Sequence, residues 1–199
     1  MASAAASRAA YHHGDLANAL TDAAVDLARA GGPGAVVLRE AARRVGVSAT
    51  SAYRHFAGHD DLIAAVRSRA QQELAESMRT EPVVGAEVDG TDAELARLHA
   101  LGRGYLRFAQ TEPGLFRAAF SQSTPTSSDS YQLLTGALDD LVTSGRMAPE
   151  RRPNAETAVW STVHGLAELL LDGPLAALDD AELETVILQV QDFIVRGIG

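Results

Sequence analysis

The chain has 199 residues, 46% of them apolar and none of them cysteine, and its formal net charge is −9. This length allows one large domain or two modest ones with a real core, which excludes a disordered tail. The absence of cysteine excludes disulfide staples, thiolate metal sites and cysteine nucleophiles, and suits a reducing cytoplasm.

In chain order, Met1–Ala10 is rich in alanine and serine and lacks the leucine-rich centre of a signal peptide, so residues 1–10 are expected to form a mobile arm. A first helix is expected over Asp15–Ala30, where Leu16, Leu20, Ala23, Ala24 and Leu27 recur at helical spacing and Gly31-Gly32-Pro33-Gly34 stops the run. Two short helices follow at Leu38–Val45 and Ala49–Phe56. A long one at Asp60–Arg79 has a core face of Leu62, Val66, Ala70 and Leu74. Glu81–Gly90 contains Pro82, Gly85 and Gly90 without periodicity and reads as a linker or domain boundary. Further helices are expected at Thr91–Gln110, Pro113–Ala119, Asp129–Thr143, Asn154–Leu171 and Asp180–Arg196. No strand-like alternation and no solenoid repeat is present, so the expected fold class is all-α. No run approaches the roughly 18 apolar residues that span a bilayer, so a soluble protein without a membrane partner is expected.

The negative charge is unevenly spread. Residues 1–79 hold nine arginines against eight acids, a net of +1, whereas residues 80–199 hold eight against eighteen, a net of −10. Between Val37 and His59 stand four arginines, two histidines and one acid. A locally basic face on an acidic protein can hold phosphates, because the field that counts is the one at the contact.

That stretch includes Leu38–Phe56, LREAARRVGVSATSAYRHF. Leu38, Ala41, Ala42 and Val45 form an inner face, and Ala42 is small enough for a second helix to cross closely. Gly46 stands where the chain leaves the first helix and positive φ is often needed. Val47 can plug the turn, and Ser48 suits the N-cap of the next helix. Ala52, Tyr53 and Phe56 supply that helix's inner side. Thr50, Ser51, Arg54 and His55 face outward, near a helix terminus that favours phosphate. This is the layout of a helix-turn-helix, although a plain helical hairpin in a bundle would share much of it.

The stretch resembles the tetracycline-repressor (TetR) family across about residues 11–65. Leu38-Arg39-Glu40-Ala41-Ala42, Gly46-Val47-Ser48, Tyr53-Arg54-His55-Phe56 and Asp61-Leu62 carry the likeness, and Tyr11-His12-His13-Gly14-Asp15-Leu16 looks like the approach to the first helix in many members. The resemblance implies a three-helix DNA-binding domain over residues 11–60, joined by a long helix to a helical effector-binding and dimerisation domain over 61–199. It implies a cytoplasmic homodimer, without a cofactor or metal, that binds a pseudo-palindromic double-stranded DNA operator. A small-molecule effector would release this repressor from its operator. In that family the third helix enters the major groove, and the tyrosine and histidine corresponding to Tyr53 and His55 bind backbone phosphates. The DNA-binding residues so implied are Arg39, Ser48, Thr50, Ser51, Tyr53, Arg54, His55 and His59. Where His59 stands the family usually has lysine, which weakens that phosphate contact or makes it pH-dependent.

The second half more weakly resembles a subgroup with a Trp-x3-His-Gly ("WHG") C-terminal domain, through Trp160, His164 and Gly165; Tyr105–Ala109 and Pro113–Arg117 also suit it. Candidates for an apolar effector pocket are Tyr105, Phe108, Phe116, Phe120, Trp160 and His164; ordinary core packing would use the same residue types. Gly102 and Gly104, within a helix, leave space for either close packing or a ligand. The apolar excess of the last two helices, including Leu166, Leu169, Leu170, Leu171, Leu183, Val186, Ile187, Val190, Phe193 and Ile194, suits a dimer interface. Two rival classes are a metal-dependent helical enzyme using His12, His13 and Asp15 or His164 and Glu168, and a helical ligand-binding protein without DNA activity. The enzyme reading lacks a third ligand at diagnostic spacing, a phosphate loop and a nucleophile beside a base.

Overall fold

A computed structural model describes residues 13–84, 93–121 and 128–198. The expected arm at 1–10 lies outside the described residues, as does the part of the expected linker from Gly85 onward. The described residues form nine α-helices and no strand: α1 His13–Gly31, α2 Leu38–Val45, α3 Ala49–Ala52, α4 His59–Thr80, α5 Ala93–Thr111, α6 Pro113–Ala119, α7 Asp129–Thr143, α8 Ala155–Leu171 and α9 Asp180–Ile198. Single 3₁₀ turns occupy Pro33–Ala35 and Pro149–Arg151, where proline sits in the first helical turn and has no amide to lose. The all-α expectation holds.

The chain divides into two compact units. The first holds the described residues up to 70 together with 114–121; the second holds the described residues in 71–113 and 128–198. The division falls inside α4 and assigns nearly all of α6 to the first unit, whereas the sequence suggests a boundary at the start of that helix and places α6 with the C-terminal half.

In the first unit α1 packs on α2 and α3. Its core is formed by Leu20, Ala24, Val36, Ala41, Ala52, Leu62 and Val66, with Leu115 and Phe116 from α6. Gly114 permits that last approach, because a Cβ there would collide with the carbonyl oxygen of Ala28. An ion pair of 3.2 Å between Arg69 and Asp22 joins α4 to α1 at the surface.

In the second unit α5 packs on α7, α8 and α9, α7 also meets α8, and α8 meets α9. Leu98, Leu101, Leu106, Leu134, Leu138, Leu141 and Leu166 fill the interior. Two of its buried polar side chains pair with each other: Ser130 Oγ donates to Gln71 Oε1 at 2.7 Å. Such pairing offsets the desolvation that would make an unmatched hydroxyl or amide destabilising. Arg152 bridges Asp139 and Glu156, each at 2.7 Å, and so ties α7 to the start of α8.

Candidate nucleic-acid interface and ligand cavity

The α2–α3 junction is built from backbone hydrogen bonds that the sequence prepares. Gly46 adopts φ 81° and ψ 27°, the left-handed region. Its N–H donates to Arg43 O at 3.2 Å and that of Val47 to Ala42 O at 3.0 Å, which closes α2 with a Schellman motif. Two residues later Ser48 caps α3: its Oγ accepts from Ser51 N–H at 3.1 Å and lies 3.0 Å from Ser51 Oγ. The chain therefore turns from α2 into α3 in three residues, with the amides of Gly46 and Val47 satisfied.

The reader helix is shorter than the expected Ala49–Phe56. Regular α-helix ends at Ala52, and the next residues form turns: Arg54 N–H donates to Ser51 O and His55 N–H to Ala52 O. These bonds to the third preceding residue tighten the final turn and re-aim the side chains of Tyr53, Arg54 and His55. Asp61 then accepts from Ala57 N–H at 2.9 Å, and the acidic first turn of α4 begins.

The eight sequence-derived candidates fall in this one junction and its flanks. Arg39, Ser48, Thr50, Tyr53, Arg54 and His59 are exposed, Tyr53 by 47%, and Ser51 and His55 are half-buried. Tyr53, expected on the inner side of the helix, thus points outward, and Ala52 and Phe56 alone of that trio are buried. Glu40 is the single acid of the region, and Arg43 and Arg44 engage it. Arg43 donates to both of its oxygens at 2.8 and 2.7 Å, and Arg44 donates at 3.3 Å. The Arg43 hydrogen bonds in particular hold its carboxyl at a pKa of about 2, so it stays ionised and locally neutralised at any physiological pH. Arg39 and Arg54 have no ion-pair partner among the described residues. The exposed face is therefore two arginines, hydroxyls, a phenol and an imidazole, the donor types that phosphate oxygens and base edges accept from.

The second unit holds a partly open cavity of about 50 Å³. Met78 of α4, Leu98, His99, Gly102 and Tyr105 of α5, and Leu134 of α7 form one side. Val159 and Trp160 of α8, with Ile187, Gln191 and Ile194 of α9, face them. Of the sequence-derived pocket residues, Tyr105 and Trp160 reach this wall, with ring centroids 5.6 Å apart in an edge-on arrangement. Phe108 is buried on α5 but is not part of the wall. His164 lies behind it, its Nδ1 2.7 Å from the Tyr105 hydroxyl. Phe116 and Phe120 belong to the first unit, where their rings pack at 5.0 Å.

Burial lowers the pKa of His164 against the opposing pull of Glu168, whose carboxylate lies 4.0 Å from Nε2. A neutral ring with its proton on Nε2, facing that carboxylate, leaves Nδ1 to accept from Tyr105. Burial, together with the charge of Glu168, raises the Tyr105 pKa and keeps the phenol protonated for this bond. Histidine and aspartate or glutamate side chains do not gather in a metal-binding group of three among the described residues.

Three wall residues, Met78, His99 and Gln191, escaped the sequence reading. Nε2 of His99 is buried without a partner, and Gln191 Nε2 donates to the His99 carbonyl oxygen at 3.2 Å across 92 residues of sequence. Only the general expectation that a buried polar group has a partner could have flagged them, and their burial was not visible in the sequence. The two glycines of α5 serve opposite ends. A Cβ at Gly104 would stand 2.5 Å from Ser77 O and 2.6 Å from Met78 Cα, whereas nothing lies within 4 Å of one at Gly102.

A short capped helix-turn-helix with an exposed cationic face, in an otherwise helical chain, defines a DNA-binding transcription regulator. Two family models match it: bacterial regulatory proteins of the tetR family over residues 20–66, and the tetracyclin repressor-like C-terminal domain over 98–193. The chain belongs to the tetR family of bacterial transcription regulators. No curated protein matches the sequence. Among solved structures, a protein of unknown function from Rhodococcus sp. RHA1 is 23% identical with TM-score 0.70, covering 96% of this chain and 99% of its own. A bacterial regulatory protein in the tetR family from Rhodococcus RHA1 is 16% identical with TM-score 0.60, covering 92% and 97%. The TetR family transcriptional regulator PfmR from Thermus thermophilus is 19% identical with TM-score 0.52, covering 90% and 98%. At these identities the likeness is one of fold.

Proposed function

We propose that this regulator is a cytoplasmic homodimeric repressor that binds a pseudo-palindromic operator and leaves it when a small molecule fills the cavity of the second unit. Its role is binding rather than catalysis. The observation that carries the DNA half is the exposed face of Arg39, Thr50, Tyr53, Arg54 and His59 around a neutralised Glu40. Tyr53 and His55 are assigned to backbone phosphates, and Thr50 and Ser51 to base edges or close backbone approach. Ser48 positions α3, while Arg39, Arg54 and His59 add cationic or polar contacts to the flanking phosphates.

Dimerisation is supported by an apolar stripe left outside the core. Leu166, Leu170, Ile187 and Ile194 are buried, whereas Leu169, Leu188 and Phe193 on the same two helices are exposed by 44%, 52% and 67%. Large apolar side chains exposed together mark an interaction surface. One reader spans too few base pairs for specificity, so two are expected on half-sites about one helical turn, roughly 34–36 Å, or a multiple of it apart.

Effector coupling is assigned to α4, which carries Met78 on the cavity wall and begins next to the reader at His59. A ligand shifts such an equilibrium only by its differential affinity for the two arrangements, typically about 1–3 kcal/mol, or 5–150-fold in operator affinity. Selection of bound duplexes from a random pool, followed by anisotropy titrations at several salt concentrations, tests the reading. A salt-dependent, two-fold-symmetric consensus is expected. Failure to enrich any duplex would refute it.

A further inference from the structure

We infer that the cavity of the second unit selects a small uncharged ligand, apolar except for one hydroxyl, which His99 Nε2 holds against the Trp160–Tyr105 wall. The inference rests on the effector reading above and adds the ligand's chemistry to it. Three observations converge. Apart from His99 and Gln191, the wall is aliphatic or aromatic, so most of an occupant's surface must be apolar.

The charges nearest the wall are already matched. Arg103, which acts on His99, donates to both oxygens of Glu184 at 2.8 and 2.5 Å. A carboxylate in the cavity would be desolvated with no cation to meet it, and an ammonium would find no free anion among the wall residues. Charged ligands are therefore rejected.

Among the described residues the buried side-chain polar atom left without a partner is Nε2 of His99, a residue of this wall. Burial, and then the charge of Arg103, lower the pKa of this imidazole, so it enters the site neutral. A neutral imidazole nitrogen donates or accepts according to tautomer, and a hydroxyl can answer either role. Gln191 holds the backbone of His99 from α9 and so fixes where that hydroxyl must stand.

Size follows from Gly102, beside which a side chain would find empty space. The 50 Å³ available is less than the roughly 150 Å³ of a dry cavity that admits benzene, so a ring-bearing ligand enters fully only by parting the walls. Met78 is one of those walls, and its displacement would give the ligand different affinities for two positions of α4.

Calorimetric titration of the DNA-free full chain with phenol, toluene and benzoate tests the inference, because the three share a ring and differ in the polar group. Phenol is expected to bind at least about tenfold more tightly than toluene, in line with one hydrogen bond to an otherwise unmatched group, and benzoate not measurably. His99→Leu should bring phenol down to the toluene level, and Gly102→Leu should abolish binding of both. Melting curves of both variants, with the milder Gly102→Ala beside them, separate lost binding from lost fold. Absence of phenol binding, equal affinity for all three compounds, preference for benzoate, or unchanged phenol affinity in folded His99→Leu would each overturn the inference. Phenol binding without any loss of operator affinity would instead refute effector release and leave the selectivity of the cavity standing.

Discussion

The two glycines of α5 predict opposite outcomes for the same substitution. Replacing glycine by alanine inside a helix gains about 1 kcal/mol of intrinsic propensity wherever the methyl has room. At Gly102 the methyl meets nothing within 4 Å, so Gly102→Ala should stabilise the second unit by about 1 kcal/mol and raise its melting midpoint by about 2–4 °C. At Gly104 the methyl would stand 2.5 Å from a backbone oxygen that cannot rotate away, so α4 and α5 must separate. Overpacking of this kind costs about 1–3 kcal/mol or more. Separation also stretches the 2.8 Å bond from Ser77 Oγ to Gly104 O, worth about 1 kcal/mol. Set against the propensity gain, Gly104→Ala should be destabilised by about 1–3 kcal/mol, leaving the two variants about 2–4 kcal/mol apart. Urea denaturation followed by circular dichroism reads the difference directly. A Gly104→Ala protein as stable as the parent would refute the close approach of α5 to α4.

Four further outcomes are expected. Arg54→Ala and Tyr53→Phe should weaken binding to every duplex alike, and Arg54→Ala should flatten the salt dependence by about one unit of slope per protomer; a sequence-selective loss would move these residues to base edges. Ser48→Ala removes the N-cap and should cost about 1 kcal/mol, read as a lower urea midpoint for the first unit, whereas an unchanged midpoint would mean the cap is idle. Phe193→Glu should convert a dimer to monomers in sedimentation velocity and lower operator affinity with it; a dimer that persists would place the interface elsewhere. Burial lowers the folded-state pKa of both His99 and His164, so the unfolded chain takes up protons first as pH drops below about 6.5. Their share of stability is complete above that pH and declines below it, and the His99→Leu, His164→Gln double variant should show a shallower fall between pH 7 and 5 than the parent.

Much of the fold was legible because the signals that end helices are local. Gly46 and Ser48 mark the α2–α3 turn by their own conformational and hydrogen-bonding preferences, and Gly31-Gly32-Pro33-Gly34 ends α1 in the same way. The tail of α3 was misjudged because apolar spacing continues to Phe56 while the backbone tightens after Ala52, and spacing cannot tell 3₁₀-like turns from α-helix over four residues. The cavity was less legible. Phe116 and Phe120 looked equivalent to Trp160 as apolar aromatics, but which unit a short helix joins is decided by long-range contacts such as that of Gly114 with Ala28. His99 and Gln191 gain meaning only as a pair, and nothing local announces a partnership between α5 and α9.

Neutralisation of Glu40 by Arg43 and Arg44 also bears on how the protein would find its target among genomic DNA. Two of the four arginines near the reader are occupied internally, so few counterions would be displaced when it meets an arbitrary stretch of duplex. The −10 carried by residues 80–199 opposes lingering there as well. Low non-specific occupancy and brief sliding would follow, with the time spent on DNA concentrated at sequences whose base edges repay the contact.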